Sequence, residues 1–395
     1  MKSMPVAAAC ALPASKMQRT VYVNRRTDMI TTGGRHPMKV TYSVGFKSNG
    51  NVTGLDVEVL VDAGRLRLFH NAKAGESPEY TLPLIWDKLA EFKQRRMVVE
   101  EFNATNKWRK RGISRVPAIY GVSMRSAPGR VKQMAAISLG LIQCGTTSDE
   151  LLEKIRVVQS DTLSMVQGSI TGGSTTSEIS CEAVRICRDG LVERLLPVKT
   201  SLVETVTWEN LISLSAIDKY VEVNILTGET TILRTDIIYD CGKSLNPAVD
   251  LGQIEGAFVQ GVGFFMLEEC LMNSDGLVVT DSTWTYKIPT VDTIPRQFNV
   301  EILNSGQHKN RILSSKASGE PPLLLASSVY CAVRAAVKEA RKQIVRCSSN
   351  SQQGIDLSSD FELPVPARMP VVKEFCGLSV VEKYLEWKIQ QMKNI

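Results

Sequence analysis

The stretch YVEVNILTGETTILRTDIIYDCG, residues 220–242, decides the class of fold. Apolar residues alternate with polar ones at Val221, Val223 and Ile225, and the alternation resumes from Ile232 after the sequence TGE. Alternation is typical of a half-buried strand, because successive side chains of a strand point to opposite faces. Two such runs around a short turn predict an antiparallel hairpin.

Strands and helices are predicted on both sides of this hairpin, so the sequence predicts an α+β fold. The pattern of apolar residues indicates strands at 20–24, 38–46 and 52–64, the last as one long strand or a pair. Helical spacing of apolar residues indicates helices at 177–196, 250–270, 321–346 and 379–393. The polar segment 348–360 is predicted to be a surface loop.

The first nineteen residues, MKSMPVAAACALPASKMQR, resemble a secretory signal only superficially. Pro5 and Pro13 bracket a short apolar core, and charged residues follow at once. We therefore expect a buried helix of a globular domain there. No apolar run in the sequence is long enough to cross a bilayer.

The composition indicates a globular, cytoplasmic protein. Of the 395 residues, 43% are hydrophobic and 22% charged, and the net charge of +6 is spread along the chain without a basic block interleaved with aromatic residues. We therefore expect neither a nucleic-acid nor a membrane partner. Nine scattered cysteines without a CxxC motif, and three distant histidines, supply almost no ligands for a protein-held zinc ion or iron–sulfur cluster.

One carboxylate has an unusual setting. Glu320 lies between Gly319 and the pair Pro321 and Pro322, at the beginning of the predicted helix 321–346. Proline is tolerated at a helix start and restricts the chain before it, so Glu320 is expected to be held rigidly. It could complement the helix dipole. It could instead act as a general base, because apolar surroundings such as PPLLLA raise the pKa of a carboxyl group toward working pH.

Two further segments suggest contacts to an anionic ligand. TGGSTTSE, residues 171–178, places glycine and hydroxyl residues before a predicted helix, which suits either anion binding or an ordinary N-cap. Gln253 is placed at the beginning of the helix predicted at 250–270, and its neighbours Gly256, Gly261 and Gly263 are expected to permit close packing.

Five segments resemble, in the same order, the molybdopterin-binding portion of the xanthine dehydrogenase and aldehyde oxidase family of molybdenum hydroxylases. The sequences of these segments are most similar to those of plant-type aldehyde oxidases. The segments are GGRHPMKVTYSVGFKSNG (33–50), DTLSMVQGSITGGSTTSEISCEAV (161–184), DCGKSLNPAVDLGQIEGAFVQGVGFFMLEE (240–269), TYKIPTVDTIP (285–295) and KASGEPPLLLASSVYCAVRAAVKEAR (316–341).

The resemblance implies an elongated pair of molybdopterin-binding domains. Residues 1–65 correspond to a remnant of the first domain and residues 66–395 to a shortened second one. Molybdenum in this family is held by the dithiolene of its pterin, so protein ligands to the metal are not expected. Iron–sulfur clusters and FAD, which carry electrons away in relatives, are expected to be absent from this chain.

The resemblance also implies a reaction and roles for residues. An aldehyde and water give a carboxylic acid at the molybdenum centre, with Glu320 as the general base. Gly173 would lie close to the metal. The pterin would be contacted by Ser174, Thr175, Thr176 and Gln253.

Three joins depart from the family pattern. Relative to that pattern, we expect segments to be missing after residue 64, between Pro128 and Val131, and near residues 212–223. Three alternatives therefore stay open. The chain could be an aldehyde oxidase, an inactive paralogue that forms a homodimer or associates with a full-length relative, or an unrelated binding protein whose turns are structural.

Overall fold

The structure, a computed structural model, divides into two compact units. Contacts between Cα atoms group Met1–Glu76 with Leu267–Ile288, and Ser77–Met266 with Pro289–Ile395. The predicted boundary at residue 65 concerns cofactor-binding domains rather than compact units, so it stays a prediction. The residues that the structure describes are 4–17, 22–32, 38–48, 52–61, 64–69, 81–89, 91–121, 212–303, 314–348 and 361–378, with Val184, Glu382 and Ile389.

The first unit contains two helices and a three-stranded sheet. The strands pair antiparallel in the order β1-β2-β3, with Met38 opposite Val61 and Val44 opposite Leu55. The strands predicted at 38–46 and 52–64 are thereby confirmed. The elements are α1 (Met4–Met17), α2 (Arg25–Thr32), β1 (Met38–Phe46), β2 (Val52–Val61) and β3 (Gly64–Phe69).

Two expectations for this unit are wrong. Residues 22–24 form no strand. Asn24 is instead the N-cap residue of α2, because its side-chain oxygen accepts a hydrogen bond of 2.9 Å from the Thr27 amide. The N-terminal segment is helical as predicted, but those of its side chains that the structure describes are exposed or half-buried, and Met17 is 63% exposed. Its apolar residues are mostly alanine, which offers little surface to bury.

The second unit is built on a four-stranded sheet. Its order is β4-β5-β6-β7, in which β4, β5 and β6 are antiparallel and β7 runs parallel to β6. The strands are β4 (Arg109–Gly121), β5 (Ile212–Asn224), β6 (Thr230–Asp240) and β7 (Gln297–Ile302). The helices are α3 (Leu82–Lys88), α4 (Phe92–Thr105), α5 (Pro247–Met266), α6 (Pro321–Leu325), α7 (Ser327–Ser348) and α8 (Met369–Phe375).

The hairpin predicted at 220–242 is confirmed as β5 and β6. Its turn contains Gly228 at a φ of 78°, a backbone conformation that glycine adopts without strain. Val221, Val223 and Ile225 are fully buried, so the alternation in the sequence did mark the core face. The predicted helix at 250–270 is α5, and it begins at Pro247.

The long helix predicted at 321–346 is two helices. α6 ends at Leu325 and α7 begins at Ser327, with Ala326 between them. The predicted apolar stripe of α7 is confirmed, because Val329, Val333 and Val337 are fully buried. α7 lies so close to β4 that a Cβ atom on Gly112 would stand 1.8 Å from the Ala332 carbonyl oxygen.

Several predicted elements lie outside the described residues. They are the helix at 177–196, of which only Val184 is described, and the loop at 348–360 beyond Ser348. The helix predicted at 379–393 is described only at Glu382 and Ile389. Within the described part of the chain, no helix combines the length and apolar composition needed to cross a membrane.

Candidate functional site

Glu320 occupies the N-cap position of α6. Pro321 and Pro322 are the first two residues of this helix, as the sequence predicts. Both are buried. Glu320 itself is half-buried, and its side chain makes no capping hydrogen bond to the helix. α6 is only five residues long. Capping is therefore not what places a carboxylate at this position.

The segment before Glu320 is held along the end of β6 by backbone hydrogen bonds. The Lys243 amide donates to the Ser314 carbonyl over 2.7 Å, and the Lys316 amide donates to the Cys241 carbonyl over 2.7 Å. The Tyr239 hydroxyl donates to the Ala317 carbonyl over 2.6 Å. We call residues 314–319 the Glu320 segment. These bonds fix its path up to Ala317, three residues before the carboxylate.

A buried ion pair adds to this attachment. The Lys316 ammonium lies 2.9 Å from the Asp240 carboxylate, and both side chains are fully buried. Asp240 also accepts hydrogen bonds from the Thr81 hydroxyl at 2.7 Å and the Gly242 amide at 2.9 Å. Burial alone would raise the pKa of the Asp240 carboxyl, but Lys316 and these donors outweigh it and hold that pKa below its ordinary value.

A second buried carboxylate joins the Glu320 segment to α5. Asp250, in the first turn of that helix, accepts hydrogen bonds from the Ser244 hydroxyl at 2.7 Å and from the Ser318 hydroxyl at 2.9 Å. The two serines bond different oxygens of the same carboxylate. Ser318 lies two residues before Glu320, so this hydrogen bond attaches the chain next to the predicted general base to α5.

Gln253 lies on the same helix, in its second turn. It is exposed, and it is the seventh residue of α5 rather than at its beginning, because the helix begins three residues earlier than predicted. Further along α5, a Cβ atom on Gly261 would stand 2.6 Å from both the Leu323 carbonyl oxygen and the Ala326 Cβ. This glycine therefore permits close packing of α5 on α6, as predicted.

The remaining predicted contacts have different outcomes. A Cβ atom on Gly256 would meet nothing within 4 Å, so its predicted packing role is wrong. Gly173, Ser174, Thr175 and Thr176 lie outside the described residues, and their approach to Glu320 stays a prediction.

Sequence reasoning missed the polar residues that hold the Glu320 segment. Asp240, Asp250, Lys316 and Ser318 were not singled out, although each lies within the segments that resemble the family. The available signal was a charged residue directly after an apolar strand, at Asp240, and a lysine in an otherwise small-residue segment. Charged residues are rarely buried unless they are paired, which makes them candidates for partners.

A separate buried lysine lies inside the sheet. Lys219 on β5 is 1% exposed, and its ammonium nitrogen stands 3.4 Å from the centre of the Phe258 ring and donates to the Thr235 hydroxyl. Burial lowers the pKa of Lys219 well below its ordinary value, and the charge of Asp236 opposes that shift only in part. Its neighbour Asp218 forms a bidentate pair with Arg115, over 2.6 and 2.9 Å.

Comparisons with known proteins identify the family. Models of the molybdopterin cofactor-binding domain match residues 1–76 in one case, and 129–213 and 212–295 in the other. An indole-3-acetaldehyde oxidase of Arabidopsis thaliana is 62% identical over 100% of this chain. The chain belongs to the plant-type aldehyde oxidase family. It covers 39% of that relative, and corresponds to the molybdopterin-binding portion of an aldehyde oxidase.

Other aldehyde oxidases and solved structures agree. The abscisic-aldehyde oxidase of Arabidopsis thaliana is 46% identical over 98% of this chain and 39% of its own length. The crystal structure of the aldehyde oxidoreductase from Desulfovibrio desulfuricans superposes with a TM-score of 0.63, at 16% identity, over 89% of this chain and 50% of that one. These matches confirm the expected family, the α+β fold of molybdopterin-binding domains and the molybdenum–molybdopterin cofactor.

Two polar side chains, one on the Glu320 segment and one on α5, fit such a cofactor. The Ser315 hydroxyl is buried and has no hydrogen-bond partner among the described residues, while the Gln253 amide is exposed. Hydroxyl and amide groups of this kind suit a pterin, which needs many hydrogen bonds and no protein ligand to its metal. No group of three or more His, Cys, Asp or Glu side chains that could hold a metal ion occurs in the described ranges.

Proposed function

We propose that the chain acts in the oxidation of an aldehyde to a carboxylic acid. Water supplies the oxygen atom, and Glu320 is the general base. The observation that carries this proposal is the attachment of the Glu320 segment, by Lys316 to Asp240 and by Ser318 to Asp250. Two buried carboxylates hold the Glu320 segment, and the residue that follows it is a half-buried glutamate that makes no capping hydrogen bond. A general base must be fixed within hydrogen-bond reach of the proton that it takes.

In the proposed reaction, the residues of this chain have separate roles. Glu320 accepts a proton from the attacking oxygen, which makes that oxygen a better nucleophile toward the aldehyde carbon. Gln253, by resemblance, hydrogen-bonds the pterin, together with Ser174, Thr175 and Thr176, while Gly173 lets the backbone approach the metal. When it is bound, the molybdenum cofactor supplies the two-electron acceptor. The iron–sulfur and flavin groups that would receive those electrons are proposed to lie outside this chain.

The substrate class is proposed from the relatives. Two relatives are named for indole-3-acetaldehyde and abscisic aldehyde, so we propose an aromatic, indolic or terpenoid aldehyde for this chain. A cytoplasmic location is part of the same proposal.

A second candidate is a catalytically inactive paralogue that associates with another copy or with a full-length relative. The alignment to the 62% identical oxidase extends over 534 residues, which is 139 more than the 395 in this chain (534 minus 395). This difference favours internal deletions like those expected at the three joins. Each buried hydrogen-bonding group left without its partner costs about 1–3 kcal/mol, so a few lost cofactor contacts weaken retention by orders of magnitude.

The deciding experiment measures cofactor and turnover together. The chain is expressed in a host that makes sulfurated molybdenum cofactor. Molybdenum per chain is then measured, and aldehyde oxidation is assayed with an artificial electron acceptor. If the chain is catalytic, Glu320→Gln retains molybdenum and loses at least about 100-fold in turnover, as expected for a general base.

Glu339→Gln is the matched control, because it neutralises a carboxylate on α7 that is 39% exposed and forms an ion pair with Lys342. It should behave like the parent chain. Absence of molybdenum and of activity in all three proteins would reject the catalytic proposal and leave the inactive paralogue. Equal activity of the Glu320→Gln variant and the parent would reject the assignment of Glu320.

A further inference from the structure

We propose that Asp250 and Ser318 are positioning residues for Glu320, which rests on the proposed function for its catalytic meaning. Their hydrogen bond, at 2.9 Å, joins the first turn of α5 to the residue two positions before Glu320. Both side chains are buried, Asp250 to 3% and Ser318 to 8% exposure. A hydrogen bond to a buried carboxylate is among the stronger ones in proteins, so it can fix a segment in place.

The geometry explains why this bond acts on Glu320 rather than on the core in general. The backbone of the Glu320 segment is attached to β6 through Ser314, Lys316 and Ala317. Ser318 follows these residues, directly before the Gly319–Glu320 turn, and its hydroxyl attaches it to Asp250. Its partner is on α5, the helix that also carries Gln253. The bond therefore sets the position of the predicted base against the predicted pterin-binding helix.

The rest of α5 supports the same arrangement. Gly261 brings the helix against Leu323 and Ala326, immediately after Glu320 in the chain. Glu320 is thus held to α5 on both sides in sequence, by a polar contact before it and by backbone packing after it. Of the two contacts, only the polar one can be removed by deleting a single hydroxyl group, that of Ser318, without altering the packing of α5 on α6.

The chain provides a matched control for this contact. Ser244 and Ser318 donate to the two oxygens of the same Asp250 carboxylate, at 2.7 and 2.9 Å. Ser244→Ala and Ser318→Ala therefore remove equivalent hydroxyl groups, and only Ser318 belongs to the Glu320 segment. Ser318→Thr keeps the hydroxyl and serves as the rescuing variant.

The test compares amide hydrogen exchange of residues 314–320 in the full chain. We expect Ser318→Ala to speed exchange in this segment by about ten- to a hundredfold, the range for loss of a hydrogen bond to a charged group. Ser244→Ala should leave exchange of this segment near the parent rate, and Ser318→Thr should restore protection. Thermal unfolding of each variant checks that the effect is local. Equal exchange in the two alanine variants, or no rescue by threonine, would overturn the proposal.

Turnover separates this inference from the proposed function. In molybdenum-loaded protein with an artificial electron acceptor, Ser318→Ala should lower kcat by about tenfold and leave KM unchanged, and Ser318→Thr should restore kcat. A parent chain without turnover, combined with the exchange pattern expected above, would reject the catalytic function and keep the positioning contact. A change confined to KM would contradict positioning of the base.

Discussion

At the scale of single residues, the Lys316–Asp240 pair shows what holds the site. Both groups are fully buried, so each has lost its hydration and depends on the other. Breaking a buried pair by removing one partner typically costs about 3–5 kcal/mol, because a charge is left behind without compensation. The pair therefore matters less for the net stability it adds than for the penalty that follows its disruption.

The first residue-scale prediction concerns Lys316→Met. We expect it to lower the free energy of unfolding by about 3–5 kcal/mol at pH 7, whereas Lys338→Met, an exposed lysine on α7, changes it by less than about 0.5 kcal/mol. Urea unfolding of the three proteins measures the difference. Equal losses for the two variants would show that the buried pair is not coupled to folding.

The pH dependence of the same variant has a definite sign. In the parent, the pKa of Asp240 is lowered, so its contribution is fully present above its ordinary value of 3.8 and is lost as pH falls through the folded-state value. Lys316→Met removes the largest of the effects that lower this pKa, so we expect the pKa of Asp240 to rise above its value in the parent and the variant to lose less stability on acidification. The cost of the substitution should therefore shrink as pH falls from 7 toward 3, as measured by urea midpoints across that range.

Replacing Lys219, unlike replacing Lys316, is expected to stabilise the folded chain. Because burial lowers its pKa, the unfolded chain binds the proton more tightly than the folded one, and stability rises with pH up to the unfolded value of 10.5. Lys219→Met removes this penalty and should stabilise the chain by on the order of 1 kcal/mol at pH 7. The gain should decrease toward pH 10 in thermal unfolding. A gain that stays constant with pH would show that Lys219 does not titrate as its burial requires.

At the scale of elements, the contact between α5 and α6 can be tested with two glycines of one helix. Gly261→Ala would place a Cβ atom 2.6 Å from the Leu323 carbonyl oxygen, so we expect a loss of about 1–3 kcal/mol as α6 moves away. Gly256→Ala meets open space and should stabilise α5 by up to about 1 kcal/mol, because alanine has the better helix propensity. Thermal unfolding measures both. The same sign for the two variants would contradict the packing described.

The elements also show which features a sequence can reveal. The β5–β6 hairpin was predictable because alternation and the TGE turn are local properties. The apolar stripe of α7 was predictable for the same reason. The break at Ala326 was not, because it depends on contacts with distant residues, including the packing of Gly261 against Leu323 and Ala326. Local pattern likewise placed Glu320 at a helix start, but its partners come from residues far away in the chain.

At the scale of the whole molecule, the sheet of the first unit presents an apolar face. All nine residues of β1 are exposed, and they include large apolar side chains such as Tyr42 at 66% and Phe46 at 71%. On this strand, Met38, Val40 and Val44 point to the same face, because residues two apart share a side of a sheet. Exposed apolar strand faces favour association with other molecules, and β1 is also an edge of the described sheet.

We therefore expect the purified chain to self-associate at micromolar concentration. Tyr42→Lys, which puts a charge on the apolar face, should shift the chain toward monomer in sedimentation velocity. Thr41→Lys is the matched control on the opposite face of the same strand and should change little. A monomeric parent chain, or equal effects of the two lysines, would contradict association through this face.

The register of β4 and β5 also has a consequence for synthesis of the chain. Gly121 pairs with Ile212 and Arg109 with Asn224, so β4 must wait for about a hundred further residues to be translated before it finds its partner. At roughly 5–20 residues per second, that delay lasts about 5–20 s. During this interval, before β5 is made, β4 can pair incorrectly with another strand of its own nascent chain or with a strand of a chain on a neighbouring ribosome. Slowing translation should lower the soluble yield unless a chaperone that binds extended segments is supplied.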